Sequence, residues 1–508
     1  MTYGRPGVYI NETLLPAPIA ASGSVNAAGA AIGAFAKGPT TLTLVRSWYD
    51  FVQRFGALDA AFPATFGIHQ FFTNGGADLY VRRVVGSGAA TASVGLPSTE
   101  LGITLGSAVA LDVGSEGNNL RVQVTSATAE HYYNLTVTKE VLTQYLGTSN
   151  ANSNNDLVLE VFNNIRFDDS VSSDYAQTVV NATSQYIRLS LGTSGDPAVQ
   201  TTAAVLPFTG GSDGSAPIST DYQAVVATDG SSEFDTIVNP LVIFVPEVIQ
   251  VLGASDGADV QDSIIAWANS GSGFAVIDTD ENLSVDDAIT YVSTRTTSSQ
   301  AAAYYPHYYI QDGTARSRQA LRKVAPAGAV AGLYIATDRA AGPFKTPAGV
   351  NASIKGAISL ERAFTPKDLD SLNGEVNAIR NVPGAGIVVM GGRTLLQDGT
   401  ANKYVNMRRS QIYIKKQLES ITQFAVFQNN DYKLWKQLTN VISIFLNEYR
   451  NQGGLRGASP ADAYFVTVDA SNNTAESIAN GVVNISVGVA LEYPSEFVVI
   501  NLSQITGN

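Results

Sequence analysis

A multidomain α/β protein is what this sequence predicts, and three observations lead there. At 508 residues the chain exceeds what one hydrophobic core organises, and a typical size of about 100 to 200 residues per domain implies three or four. Short apolar strand-like runs alternate with amphipathic helical ones in two stretches of the chain, the pattern of a mostly parallel sheet with helices on its faces. Between those stretches, residues 87–206 change to short β-branched runs separated by Ser, Thr, Asn and Gly, which predicts an inserted β-sandwich.

The first 24 residues read as an arm. Val8, Tyr9, Ile10 and Asn11 form a short alternating segment, and the LLPAPIA that follows is too rich in proline to be a central strand. Residues 25–86 then run through a strand (AAIGAF), a turn (KGP), two helices (SWYDFVQRFG and FGIHQFF) and a strand (LYVRRVV). The inserted region carries LRVQVTS, YYNLTVTK, LVLEVF and QYIRLSL. Residues 207–370 return to alternation with LVIFV, VQDSIIAWANS, FAVID and VDDAITYVSTR, and the apolar AVAGLYIATD and later GIVVMGG continue it. Residues 371–492 include two helices. On the first, Met407, Ile414, Leu418, Ile421 and Ala425 share one stripe, with Arg408, Arg409, Lys415 and Lys416 on a roughly opposite arc. The second begins after Asn430 and Asp431, turns Leu434, Leu438, Val441, Phe445 and Tyr449 inward, and ends near Gly453. Residues 493–508 close the chain with one more strand-like run, Phe497, Val498, Val499, Ile500, Asn501 and Leu502. Both ends are strands without an obvious local partner.

Composition narrows the function. Apolar residues make up 45% and charged residues 15%, which suits packed domains rather than disorder. The absence of cysteine removes disulfides, thiolate metal sites and a cysteine nucleophile. No apolar run approaches the roughly 18 residues of a membrane helix, and the first residues lack the apolar stretch of a secretion signal, so a soluble chain is expected. The net charge of -13 is unevenly spread: residues 91–300 hold 25 acidic and 5 basic groups, whereas residues 391–457 hold 10 basic and 4 acidic ones. That asymmetry fits either ordinary solvated faces or a molecule with one end turned toward an acidic partner. Nucleic acid is a poor candidate for that partner, because no aromatic-rich basic stripe accompanies the charge.

The patterns that carry chemistry are weak. GASDG, residues 253–257, matches the nucleophile-elbow spacing and would make Ser255 a hydrolase nucleophile, but a triad needs a histidine base held by a carboxylate. Only His69, His131 and His307 exist, and in a chain with this much Gly and Ser the motif reads as a loop and helix start. His69 lies in an apolar helix and reads as structural. The pair Asp168 and Asp169 and the cluster Asp278, Asp280 and Glu281 lack the ligand spacing of a calcium loop and read as solvated turns. No phosphate-binding loop of the Walker type occurs, so a nucleotide-driven motor is unsupported.

Taken along the whole chain, the segments PGVYINE, GAFAKGP, SWYDFVQRFG and FFTNGGADLYVRRV resemble the start of contractile tail sheath proteins of bacteriophages. The likeness continues through FTGGSDG, VNAIRNVPGAGIVVMGGRTL, YVNMRRSQIYIKKQLESITQFAVFQNND, FLNEYRNQGGLRGASPADAYFVTVD and YPSEFVVINLSQ, and is faint across the inserted region. Met390 stands where the family frequently has Trp, and Gln428 where it often has Glu. The resemblance implies an inner core built from N- and C-terminal segments and a non-catalytic, subtilisin-like middle domain. It implies a structural subunit without cofactor or metal, stacked in hexameric discs around a tail tube, that shortens to drive the tube through a host envelope. Expected partners are further copies of the chain, the tube protein, and baseplate and tail terminator proteins, with no membrane or direct nucleic-acid contact, in a virion tail assembled in host cytoplasm. A sheath of a phage-derived injection particle, such as an R-type bacteriocin, fits equally. Residues 8–11 and 497–502 would add strands to neighbouring subunits, and the basic arc of Arg408, Arg409, Lys415 and Lys416 would face the tube or an adjoining subunit, or simply solvent.

Overall fold

The computed structural model describes residues 26–97, 104–129, 131–140, 156–192, 205–271, 273–317, 319–396 and 398–496. Both terminal strand-like segments, residues 8–11 and 497–502, lie outside these.

A sheet of eight strands organises the molecule. Across it run Gly386–Val389, Asn377–Val382, Ala301–Tyr305, Gly273–Asp278, Leu241–Phe244, Ala28–Gly33, Leu79–Arg83 and Thr43–Val45. The six inner strands are parallel and the two outermost antiparallel. Consecutive side chains of Leu241–Phe244 enter opposite cores: Val242 and Phe244 join one, Leu241 and Ile243 the other. A strand buried on both faces needs helices on both, which is why LVIFV is continuously apolar. Helices Ala64–Thr73 and Ala327–Ala340 cover one face, and Ala254–Ser270 and Val285–Ser293 the other. The first two approach so closely that a Cβ on Gly328 would lie 2.2 Å from the Gly67 carbonyl oxygen, and one on Gly332 2.3 Å from that of Phe71.

This sheet takes strands from three of the segments that the sequence divides, residues 25–86, 207–370 and 371–492. Ala28–Gly33 is inserted between Leu241–Phe244 and Leu79–Arg83, with Ala30 opposite both Ile243 and Tyr80. Such distant pairing leaves no local periodicity to read. AVAGLYIATD is a helix, and the central-sheet strand before it in the chain, Ala301–Tyr305, is an Ala and Tyr run with no alternation.

The inserted region holds two antiparallel sheets, one of Thr91–Pro97, Thr104–Val113 and Ile187–Leu191, the other of Leu206–Pro207, Leu120–Ser126, Tyr133–Lys139 and Leu157–Ile165. Both contribute to one hydrophobic cluster, with Ala108 and Leu189 from the first and Val122, Leu135 and Val137 from the second. Its entry and exit touch: the Ser215 amide donates to the Ser87 carbonyl at 2.9 Å. Gly86 is required there, since a Cβ would sit 2.1 Å from the Ser215 carbonyl oxygen. Buried Arg83 bridges the junction, donating to the carbonyls of Phe35 at 3.0 Å, Gly38 at 2.9 Å and Val113 at 2.6 Å.

Beyond the sheet, helices Val405–Thr422 and Tyr432–Asn451 pack together over Met407, Ile414, Ile421, Ile442, Leu446 and Tyr449. The inward positions of the second helix are Leu434, Leu438, Ile442, Leu446 and Tyr449, while Val441 and Phe445 are only partly buried. The expected stripe was one step off at those two positions because its single step of three was set between Leu438 and Val441, whereas in the structure it falls between Leu446 and Tyr449. The helix ends as anticipated: Asp431 accepts from the Lys433 and Leu434 amides, and Gly453, at φ 93°, turns the chain so that the Gly454 amide reaches the Tyr449 carbonyl.

Candidate assembly surfaces

The four basic residues of Val405–Thr422 do not form one free face. Val405 and Ile412 lie on the same arc as Arg409 and belong to the core of the large sheet, so this helix is packed on two sides. Arg409 is 5% exposed, holds Asp338 through two hydrogen bonds of 2.9 and 2.5 Å, and stacks over Tyr334 at 4.5 Å. Burial raises the Asp338 carboxyl above its usual range, and Arg409 opposes that shift. The Tyr334 hydroxyl bonds to that of Tyr304, on the central sheet, at 2.5 Å. Arg408 is half-buried, bonded to Gln300 and, at 2.9 Å, to Gln411. Lys416 is mostly covered and approaches Glu419 at 3.5 Å. Lys415 alone of the four has a side chain more than half exposed, with Glu419 at 3.9 Å. A single amphipathic stripe was the wrong model, since the opposite arc carries two apolar residues as well as charge.

Two other features of this end are turned outward. In the turn between the helices Val426 is exposed and Phe427 fully so, the latter at φ 63°, a conformation uncommon for a bulky residue. The turn is held by the Trp435 indole on the Asn430 side chain at 2.8 Å and by the Asn430 amide on the Val482 carbonyl at 3.0 Å. Nearby, Tyr464–Thr467 and Ser486–Val489 form a two-stranded antiparallel sheet. Neither strand has a second strand neighbour among the described residues, and Phe465 is exposed upon it.

The residues with catalytic or ligand-binding promise are distributed differently. Gly253 separates two helices, Val248–Leu252 and Ala254–Ser270, so GASDG does not follow a strand as a nucleophile elbow does. Ser255 is exposed in the first helical turn and, among the described residues, has no hydrogen bond to a histidine. His69 packs edge-on to Trp48 at 4.8 Å, and burial lowers its basicity. Asp168 is engaged by Arg166 at 3.0 and 2.9 Å.

Asp278 is not in a solvated turn. It ends strand Gly273–Asp278, buried, and accepts from the Ala327 amide at 2.6 Å. Beside it on the ends of adjacent parallel strands are Glu247, which accepts from the Ala325 amide at 2.9 Å, and His307, which lies 3.7 Å from Glu361. Burial pushes Asp278 up to about 8 and Glu247 up to about 7. Burial opposes ionisation of Glu361 as well, but the hydrogen bonds from Lys323 and the Asn282 amide, with His307 close by, outweigh it and hold that carboxyl down at about 2. His307 is raised because its carboxylate neighbours outweigh its own burial. Sequence spacing could not reveal this cluster, whose members come from four separate segments. Among the described residues no group of His, Asp and Glu has the arrangement of a metal site, and no helix is long and apolar enough to cross a membrane.

The described residues thus combine a buried α/β core with open strand edges and an outward apolar turn at one end. Comparison with known proteins finds that residues 215–395 match the phage tail sheath protein central domain. The tail sheath protein of Vibrio phage KVP40 is 28% identical over 185 residues, 35% of this chain and 26% of that relative. That of Salmonella phage ViI is 23% identical over 193 residues, 36% of this chain and 29% of the relative. The match thus spans less than a third of either curated relative. Among solved structures, the anti-feeding prophage helical sheath in the contracted state aligns at a TM-score of 0.58 and 19% identity, over 99% of this chain and 100% of that one. The contracted sheath of an extracellular contractile injection system, PVC, gives 0.56 and 19%, over 99% and 98%. A sheath tail protein of Listeria innocua gives 0.60 and 13%, over 89% and 90%. The likeness to contractile sheath proteins is therefore present in the central domain's sequence and in the fold of nearly the whole chain.

Proposed function

We propose that this chain is the structural subunit of a contractile sheath, polymerising in stacked hexameric discs around a tail tube and shortening to drive the tube through a host envelope. The observation that carries this reading is the match of fold over 99% of the chain to a helical sheath in its contracted state, joined to the central-domain match over residues 215–395. Its partners are further copies of itself, the tube, and baseplate and terminator proteins, in a particle assembled in the host cytoplasm. Residues 87–206 act as the inserted sandwich and residues 207–370 as a subtilisin-like, non-catalytic middle domain. The anti-feeding prophage and PVC likenesses favour, as a second reading, the sheath of an injection particle rather than of a phage tail. Neighbouring capsid and terminase genes separate the two.

Contraction requires subunits that move without separating. Strand addition meets that need, because main-chain hydrogen bonds link neighbours through an arm that leaves their domains free to rotate. The donors are residues 8–11 and 497–502, and the open edges of Tyr464–Thr467 and Ser486–Val489 are suitable acceptors. Negative-stain microscopy of the purified chain tests the proposal. Striated hollow tubes are expected, and persistent monomers would overturn it. Deletion of residues 1–20 should abolish tubes, and full-length sheaths from that variant would remove the N-terminal arm from the mechanism.

A further inference from the structure

A groove of about 570 Å3 lies between the central sheet and the C-terminal helices. Its walls include Lys345, Asn373, Arg380, Met390 and Tyr493, and the last described residue, Glu496, forms part of its lip. Glu496 is clamped there by Arg393 through two hydrogen bonds of 3.0 and 2.7 Å. The groove contains polar atoms that the described chain leaves unmatched. Asn406, 2% exposed, spends its amide hydrogens on the carbonyls of Phe344 and Glu492, but its Oδ1 has no donor. The Nε of Arg380 is likewise buried without an acceptor. An orphaned acceptor and an orphaned donor at one recess cost stability unless something fills it, and the peptide backbone offers both complements.

We propose that this groove holds the chain's own residues 497–508 before assembly, so that the C-terminal strand is parked in cis and released to a neighbour only when subunits meet. The clause about release rests on the strand-sharing role proposed above; occupancy of the groove does not. Three observations choose this occupant. The segment begins at the groove's lip, so tethering gives it an effective concentration of about millimolar over any other chain. The twelve residues FVVINLSQITGN carry no charged side chain, and the charged residues of the groove balance, with Lys345, Arg380 and Arg393 against Asp370, Glu492 and Glu496. An unpaired apolar strand is also a template for indiscriminate pairing, and covering it keeps free subunits apart.

The full chain contains no cysteine, so an introduced pair reports its own contacts. Two variants, Lys345→Cys with Val499→Cys and Asn373→Cys with Val499→Cys, place one thiol on either wall and one on the segment. Mild oxidation of the unassembled chain is expected to give a disulfide within one chain for at least one pair, and assembly into tubes should lower its yield several-fold. A bond only between chains, or none in either pair, would overturn the proposal. An intrachain bond in a protein that never forms tubes would uphold the parked segment and sink the sheath reading instead. As a second measure, hydrogen exchange at residues 344–349 and 390–393 should accelerate several-fold when the chain is ended at Glu496, and equal protection would contradict occupancy.

Discussion

Arg409 and Asp338 face each other through two hydrogen bonds in a space with almost no solvent, and they join helix Val405–Thr422 to helix Ala327–Ala340, which covers the central sheet. With Tyr334 stacked beneath the guanidinium and Tyr304 bonded to Tyr334, the contact runs on to strand Ala301–Tyr305 of the sheet. Removing one partner strands the other's charge. Arg409→Met or Asp338→Asn should each destabilise by about 3–5 kcal/mol, whereas the double replacement Arg409→Met with Asp338→Leu should recover much of that loss. Chemical denaturation of the unassembled chain supplies the measurement, and equal losses in single and double variants would show that the pair acts only through volume.

The carboxylate cluster predicts how stability follows pH. Asp278 and Glu247 titrate at about 8 and about 7 when folded, above the usual range of an unfolded carboxylate near 4. The folded state therefore holds more protons than the unfolded one between those values, so stability falls as pH rises from about 4 through about 8. His307, also raised, acts in the same direction at the upper end of that window. Glu361, held at about 2, acts oppositely, and its contribution is lost as pH falls from about 4.5 toward 2. Tm should peak under mildly acidic conditions. Asp278→Asn should flatten the decline above pH 5, and an unchanged slope in that variant would remove Asp278 as its source.

The helix pair tests which stripe carries the packing energy. Leu446, fully buried, should cost about 2–5 kcal/mol on replacement by Ala. Val441→Ala, at a partly buried position, should cost distinctly less. Equal losses would favour the stripe read from spacing alone.

These three cases mark what the sequence could and could not convey. Alternation of strand and helix was legible because burial on one or two faces leaves a local pattern, as in LVIFV, and caps such as Asp431 act within a few residues. The placement of Ala28–Gly33 beside Leu241–Phe244 was not, since parallel pairing across the inserted region depends on distant neighbours. Arg409 was misread for a related reason. Charge on a helix normally marks a wet face. Here Val405 and Ile412 on the same arc carried the contrary signal. Asp278 sits next to Thr279 and Asp280 in what looks like a polar turn, and only the strands flanking it make it dry. The outward features, Phe427 and the two-stranded sheet, had no sequence signature beyond apolar residues near turns.

Phe427 makes a prediction that separates assembly from folding. A fully exposed aromatic ring contributes no burial to its own subunit, so Phe427→Ser should change stability by no more than about 0.5 kcal/mol. Together with Val426 that ring offers an apolar anchor at the turn between the helices, and Lys415 an exposed charge on the first of them. In the proposed sheath, Phe427→Ser should lower the yield of tubes assembled around the tail tube at every salt concentration. Lys415→Glu should lower it mainly at low salt, since exposed charge contacts are screened over about 10 Å at 0.1 M. Quantifying sheathed tubes by microscopy across a salt series distinguishes the two. If neither substitution alters assembly while both proteins retain the parent Tm, this end of the molecule faces solvent in the particle, and the contact that holds the tube must be sought on another face.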